Sequence, residues 1–327
     1  MTEHVLTLSC PDRPGIVAAV SGLLADRGGN IVESQQYGDP VTGRFFMRVQ
    51  FTLPAAAPPG TAAAPPGTAA APPGTAAAPP GTAAAPPRTA AMPSDGPAAE
   101  TGPAAALRSS FAGLAAELHL EWELYDTAVR PRALILVSRA GHCLNDLLYR
   151  QRSGQLGIDI VAVASNHPDL RPLTQTHGID YHHLPVTEEN RPSQEAEILT
   201  LVTHYRADFV VLARYMQVLT DSLCGKLQGR AINIHHSFLP GFKGSRPYQQ
   251  AHARGVKLIG ATAHYVTSDL DEGPIIEQEV ARVDHSQGPA ALMAVGRDLE
   301  CLALARAVRW HAEHRVLLNG AKTVVFR

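Results

Sequence analysis

Ala133-Leu134-Ile135-Leu136-Val137 and Ile158-Asp159-Ile160-Val161-Ala162-Val163 are two β-rich apolar runs, separated by a helical stretch from about Leu144 to Arg152. Apolar residues occupy successive positions in them, not alternate ones, so these strands should be covered on both faces, as in a parallel sheet layered with helices. The alternation continues downstream. A helix is expected from about Ser193 to Tyr205, a strand at Phe209 to Leu212, a helix near Ser222 to Leu227 and a strand at Ala231 to His235. Two further strands, Ile259 to Val266 and Pro274 to Val280, and a long helix from about Pro289 to Glu313 complete the pattern. Residues 130–327 therefore read as a doubly wound, mostly parallel, Rossmann-like α/β domain.

Upstream the periodicity is different. Val5 to Leu8 reads as a strand, Cys10 to Gly15 as a turn, and Ile16 to Arg27 as a helix. Strands at about Asn30 to Gly38 and Arg44 to Thr52 follow, joined by a turn over 39–43. A helix around Leu107 to Leu118 and a strand around His119 to Leu124 come next, so the order is βαββαβ, the ferredoxin-like plan. This first domain spans 1–129 and is interrupted at about 54–105. Residues 54–103 carry 14 of the 26 prolines, and from Pro58 Pro-Pro-Gly-Thr-Ala-Ala-Ala recurs every seven residues. Pro-Pro-Gly stops a helix in each repeat, and Gly does not recur every third residue, which excludes a coiled coil and collagen. An extended, disordered, partly polyproline-like insertion is expected. Lengthening a loop from a few residues to about fifty adds roughly 2 kcal/mol of closure entropy, a tolerable amount.

Bulk properties narrow the function. With 28 Lys plus Arg against 30 Asp plus Glu over 327 residues, no net charge draws the chain to nucleic acid or an anionic membrane, and a small-molecule partner is expected. There is no apolar run of membrane-spanning length, and Met1 to His4 leads straight into strand-like sequence without a signal segment, so a cytoplasmic location is expected. Cys10, Cys143, Cys224 and Cys301 are scattered, which suits free thiols and not a disulfide framework.

Chemistry concentrates at Asn233-Ile234-His235, which is answered 36 residues later by Asp271 in Leu270-Asp271-Glu272-Gly273-Pro274. An acyl-transfer site needs a donor for the developing oxyanion, a group titrating near neutrality and a carboxylate to orient it. Asn233 and His235 are two apart at the carboxyl end of a strand, so they share a face where ligands of open α/β sheets bind. By the same alternation His236 should point away, which argues against an iron or zinc site made of His235, His236 and Asp271, and no metal is expected. Taken singly, Asn233 and His235 could be a hydrogen-bonded strand end and Asp271 a solvated turn residue; the combination favours chemistry.

Ile232 to Pro240, with His264 to Ile276, resembles the folate-dependent formyltransferase family. Gly141 to Arg150, Ser165 to Leu170, Leu212 to Leu219 and Arg309-Trp310-His311 extend the resemblance over the second domain. Asp12-Arg13-Pro14-Gly15-Ile16-Val17 and Gly29-Asn30-Ile31 resemble an amino-acid-sensing ACT module, which the hydrolytic branch of that family carries and the transferases do not. The resemblance implies hydrolysis of 10-formyltetrahydrofolate to formate and tetrahydrofolate, with the folate as substrate and no further cofactor. This would supply formate for purine synthesis and balance the one-carbon pool. It implies Asn233, His235 and Asp271 as catalytic residues, a pterin site at Met216, Gln217, Val218, Leu219, His264, Val266 and Thr267, and contacts from Lys243, Arg246 and Arg254 to the glutamate tail. Met216 and Leu219 would otherwise be core residues and the three cations solvated charges. Asp12, Arg13, Pro14, Gly15, Ile16 and Asn30 would form an effector site for glycine or methionine at a domain or subunit interface of a homo-oligomer, or a scaffold that only dimerises. Two departures stand out. Ser138 to Cys143 lacks the small-residue phosphate cradle of ribonucleotide-using relatives, and His236 replaces the proline that the transferases place after the catalytic histidine. The alternatives are formyl transfer to an amine and a non-catalytic folate or amino-acid binding protein.

Overall fold

The computed structural model describes residues 1–54, 102–239 and 247–327. The repeat's expected disorder falls outside these residues, as do Lys243 and Arg246.

In the first domain β1 (Thr2–Pro11), β2 (Asn30–Asp39), β3 (Arg44–Leu53) and β4 (Glu121–Asp126) form an antiparallel sheet of order β2-β3-β1-β4, with α1 (Ile16–Asp26) and α2 (Pro103–Leu118) supplying the helices. The βαββαβ order is the one expected. Its first strand is longer than the apolar run suggests, because β1 lies between β3 and β4 and pairs along its length, carrying Thr2 and Glu3 into the ladder. β4 begins later than expected because His119 adopts φ 54°, the left-handed cap that ends α2. Ile16, Val20 and Leu24 of α1 and Leu107, Phe111 and Ala115 of α2, each at a four-residue spacing, pack with Leu6, Leu8, Met47 and Phe51 into one core. Gly15 precedes α1 at φ 96°, a conformation a side chain resists.

The second domain holds β5 (Arg132–Val137), α3 (His142–Arg152), β6 (Asp159–Ser165), α4 (Arg171–Gln175), β7 (Asp180–His183), α5 (Arg191–His204), β8 (Phe209–Leu212), α6 (Asp221–Lys226), β9 (Ala231–His235), α7 (Pro247–Arg254), β10 (Leu258–Tyr265), β11 (Ile275–Arg282) and α8 (Pro289–Ala312). Its sheet has the order β11-β10-β9-β8-β5-β6-β7, parallel from β7 to β9 and antiparallel where β10 and β11 are added. Ala133 to Val137 are fully buried, as a two-sided strand requires. Sequence reading missed α4, α7 and β7, which are short or polar, and a closing hairpin of β12 (Val316–Asn319) and β13 (Lys322–Val325). No helix among the described residues is long and apolar enough to cross a membrane, and all four cysteines are free thiols.

The domains meet through the face of the first sheet that carries no helix. Arg48 on β3 is 2% exposed, and its guanidinium donates to Glu33 Oε2 at 2.7 Å and twice to the carbonyl of Glu313, just beyond α8. Arg315 reaches back to the same Glu33 at 3.2 Å. Two cations on one carboxylate outweigh the burial that would push it up, and the Glu33 carboxyl is held below its ordinary range. Arg48→Met keeps the aliphatic stem and removes the charged hydrogen bonds. It should cost about 2 kcal/mol, read as a fall of roughly 4–8 °C in Tm, whereas an unchanged Tm would mean that this contact contributes nothing to stability.

Candidate active site

β9 runs parallel to β8 and antiparallel to β10, with His264 opposite Asn233 and Thr262 opposite His235. That register builds the site, because residues opposite one another on antiparallel strands bring their side chains together. Asn233 Nδ2 lies 3.2 Å from His264 Nε2, and His264 Nδ1 lies 2.9 Å from the Tyr265 carbonyl. A carbonyl only accepts, so Nδ1 carries the proton. Burial lowers the His264 pKa against the raising effects of that carbonyl and of Asp271, so the ring is neutral and its Nε2 is the acceptor for Asn233. One N–H of the Asn233 amide is thereby committed to His264, and the other is left for the cleft.

His235 is 5% exposed; its Nδ1 stands 3.2 Å from Asp271 Oδ1 and its Nε2 2.8 Å from Ser237 Oγ. Asp271 arrives from the turn between β10 and β11 and adopts φ 57°, unusual for a side-chain-bearing residue though tolerated by Asp. A Cβ added to Gly273 would come within 1.7 Å of the Tyr265 carbonyl, so only glycine lets this turn close against β10. Burial pushes the Asp271 carboxyl up, but the His235 hydrogen bond and the nearby His235, His264 and His236 outweigh it, and the net shift is downward.

These groups face a cleft of about 230 Å³ at the carboxyl ends of β8 and β9. Met216, Gln217, Val218, Leu219, Val266, Thr267 and His264 all line it, together with Asn233, His235 and Asp271. Met216 and Val218 are 57% and 52% exposed, an apolar rim and not core, while Leu219 is buried. Arg254 ends α7 and does not line this cleft.

Two expectations need correction, those on His236 and on the Ile16 side chain. His236 does not point away, because β9 ends at His235 and strand alternation no longer governs the next residue; its ring stacks on His235 at 5.0 Å and lines the cleft. Burial, with the charges of Arg214 and His235, pushes the His236 imidazole down to about 4. Within one chain, Asn30 is not gathered with Asp12, Arg13, Pro14 and Gly15: it pairs with Thr52, whereas Pro11 pairs with Arg44, about 26 Å away along β3. The Ile16 side chain lies in the core. Sequence reading also missed Arg214 as a cleft group and Ser237 as the partner of His235 Nε2; only the path of the chain after β8 and the local turn after β9 place them so.

His142, Cys143 and Glu300 are the described residues whose donor atoms approach one another closely enough for a metal, within 4.8 Å. They fit a cation poorly. Glu300 already accepts from Tyr248 Oη and His142 Nε2, both at 2.7 Å, and faces the Arg214 guanidinium at 3.3 Å. The Cys143 thiol is pushed up by its hydrogen bond to Cys301 and by burial, which opposes the thiolate a metal requires.

A ferredoxin-like sheet joined to a doubly wound sheet, with Asn, His and Asp converging in a cleft at the strand ends, defines a two-domain α/β protein whose cleft holds the three residue types that acyl transfer needs. A model of the formyl transferase family matches residues 131–308, and one of the ACT domain matches residues 4–57. A formyltetrahydrofolate deformylase of Corynebacterium sp. (strain P-1) is 47% identical, over 99% of this chain and 98% of that protein. The crystal structure of a formyltetrahydrofolate deformylase from Burkholderia mallei is 46% identical, with a TM-score of 0.82, and the match covers 100% of both chains. A glycinamide ribonucleotide transformylase 1 from Symbiobacterium toebii aligns with 61% of this chain and 95% of its own, at 29% identity and a TM-score of 0.57. The chain belongs to the formyl transferase family, and within it to the formyltetrahydrofolate deformylases.

Gly273→Ala should displace the turn that carries Asp271. A shift of about 1 Å is enough to lower kcat/KM by roughly a hundredfold, and wild-type kinetics would show that the turn has slack. A depressed carboxylate stabilises the fold above its unfolded pKa, and that stabilisation is lost as pH falls through the folded value. The native chain should therefore lose Asp271's contribution below about pH 4, and Asp271→Asn should lack that part of the acid destabilisation in Tm-versus-pH curves. Parallel curves for the two proteins would contradict the assignment.

Proposed function

We propose that the protein hydrolyses 10-formyltetrahydrofolate to formate and tetrahydrofolate at Asn233, His235 and Asp271, with no cofactor beyond the folate itself. The observation that carries this reading is the coupling of His235 Nδ1 to Asp271 at 3.2 Å in a cleft whose Asn233 is oriented by His264. Asn233 donates its second N–H to the formyl oxygen. His235, oriented by Asp271 and protonated at Nε2, stabilises the oxyanion and then hands that proton to the departing nitrogen. Asp271, ionised at neutral pH, also positions the attacking water. The water's oxygen joins the formyl carbon as the water gives up a proton to Asp271, the C–N bond breaks with its electron pair and the His235 proton going to nitrogen, and the product leaves as formate with its acid proton lost to solvent. Preorganised donors of this kind contribute about 2.7–4 kcal/mol each.

The pterin lies against the segment 216–219 and the turn 266–271. The cleft, at about 230 Å³, is smaller than sites that enclose a whole drug-sized ligand, roughly 300–1,000 Å³, so it takes one end of the folate and leaves the glutamate tail outside. Lys243, Arg246 and Arg254 remain candidates for that tail. Residues 1–129 act as an ACT regulatory domain interrupted by the repeat. An effector such as glycine or methionine bound by Asp12 to Gly15 together with Asn30 would need two copies of the chain, since one chain separates the two groups, and this reading therefore includes a homo-oligomer. Free thiols suit the reducing cytoplasm, where the formate supports purine synthesis and the one-carbon balance.

Incubation with 10-formyltetrahydrofolate and no amine should release formate and tetrahydrofolate in equal amounts. Asp271→Asn should lower kcat by roughly 10²–10³ with a smaller change in KM. No formate without an amine, and tetrahydrofolate formed together with an N-formylated amine once one is added, would make the protein a transferase.

A further inference from the structure

The second sheet changes direction at β5. The chain proceeds from β5 to β6 and β7 on one side and then crosses to β8 and β9 on the other. In such sheets the crevice outside the carboxyl ends of the two strands flanking the switch is the general ligand site, and the N-terminus of the helix following the first strand favours an anion. Here that crevice lies between Ser138, just past β5, and Arg214, just past β8. The Ser138 amide donates to the Arg214 carbonyl at 3.2 Å, and the Met216 amide donates to Ser138 Oγ at 2.9 Å, so its two sides are tied together. His142 is the first residue of α3, and it turns to Glu300 on α8.

Four side chains converge there. Glu300, 1% exposed, accepts from Tyr248 Oη and His142 Nε2 and faces Arg214 Nε at 3.3 Å. Burial pushes this carboxyl up, but the His142 hydrogen bond, the Arg214 charge and the Tyr248 bond prevail and keep it ionised. The packing is tight: a Cβ on Gly296 would meet Tyr248 Oη at 2.1 Å. Arg214 is the cleft-facing end of this cluster, lining the same cleft as Asn233, His235 and Asp271. It adopts φ 65°, and its buried Nε has no hydrogen-bond partner. A strained, incompletely satisfied arginine beside reacting groups is a feature that stability alone does not favour.

We propose that Arg214, held by Glu300 with His142 and Tyr248, is a specificity-determining plug that fills the acceptor side of the formyl site, so that water reaches the formyl carbon and an amine does not. This rests on the hydrolase reading above and deepens it. With either nucleophile a bond forms to the formyl carbon and the C–N bond to the folate breaks, its electron pair and a proton going to the folate nitrogen; only the size of the incoming group differs. Arg214 is a positioning and excluding group, not a catalytic residue.

Hydroxylamine is the probe, because it is small and unprotonated at neutral pH, and its formylated product is a hydroxamate distinguishable from formate. Arg214→Gly with Glu300→Gln opens the plug: glycine accepts the left-handed backbone, and the glutamine amide can still serve Tyr248 and His142 without leaving a buried charge unpaired. Arg214→Met with Glu300→Gln removes the same charges and keeps the volume. The ratio of N-formylhydroxylamine to formate should rise at least about tenfold in the first variant and stay at the native value in the second, with KM for the folate within about threefold in both. Arg214→Ser in the otherwise native chain is an independent opening and should raise the ratio too. Formate release by the native chain with an unchanged ratio in the glycine and serine variants would overturn the plug alone. An equal rise in the methionine variant would overturn the exclusion by volume. A native chain that releases no formate would overturn the hydrolase reading and the plug with it.

Discussion

The antiparallel pairing of β9 with β10 is the constraint on which the rest of the site depends. It sets His264 opposite Asn233, and a slip of one residue would turn every side chain of β9 to the other face of the sheet. From that pairing come the tautomer of His264, the orientation of the Asn233 amide and the departure point of the turn that returns Asp271 to His235. The register is protected by burial on both sides, since Ile232, Ile234, Ala261 and Ala263 lie in the core of the second domain. Among the described residues the hydrogen bonds of Asn233 with His264 and of His235 with Asp271 are both in place.

Electrostatically, the cleft separates its groups by environment. His264 and His236 are driven neutral mainly by burial, while Asp271 and Glu300 stay ionised because cations and donors outweigh the same effect. A neutral His236 stacked on His235 leaves the latter room to carry a proton without a second imidazolium beside it. The Arg214 and Glu300 pair places a half-buried positive charge at the cleft beside Asn233, His235 and Asp271, fixed from three helices and one strand end. Such a pair is expensive to desolvate and is retained in proteins for geometry more readily than for stability.

Much of this was legible in the chain. Consecutive apolar residues at Ala133 to Val137 announced a strand covered on both faces, and the turn at Cys10 to Gly15 announced the start of the first helix. Two-residue spacing put Asn233 and His235 on one face. What could not be read was set by contacts distant in sequence. His236 follows the last residue of its strand, so alternation misplaced it. The partnership of Asn233 with His264 depends on a register that no local pattern specifies, and Glu300 meets His142, Arg214 and Tyr248 only after α3, α7 and α8 have packed. Asn30 and Asp12 looked like one site because both carry recognisable motifs, yet the length of β3 keeps them apart.

The central claim is that the formyl group is held between Asn233 and His235. A crystal structure with a folate analogue whose formyl group cannot be cleaved tests it most directly. The account predicts the formyl oxygen at about 2.7–3.1 Å from Asn233 Nδ2 and His235 Nε2, the pterin against 216–219, and a water beside Asp271 on the face towards Arg214. A formyl group bound away from this pair, or an analogue that leaves the cleft empty, would contradict it.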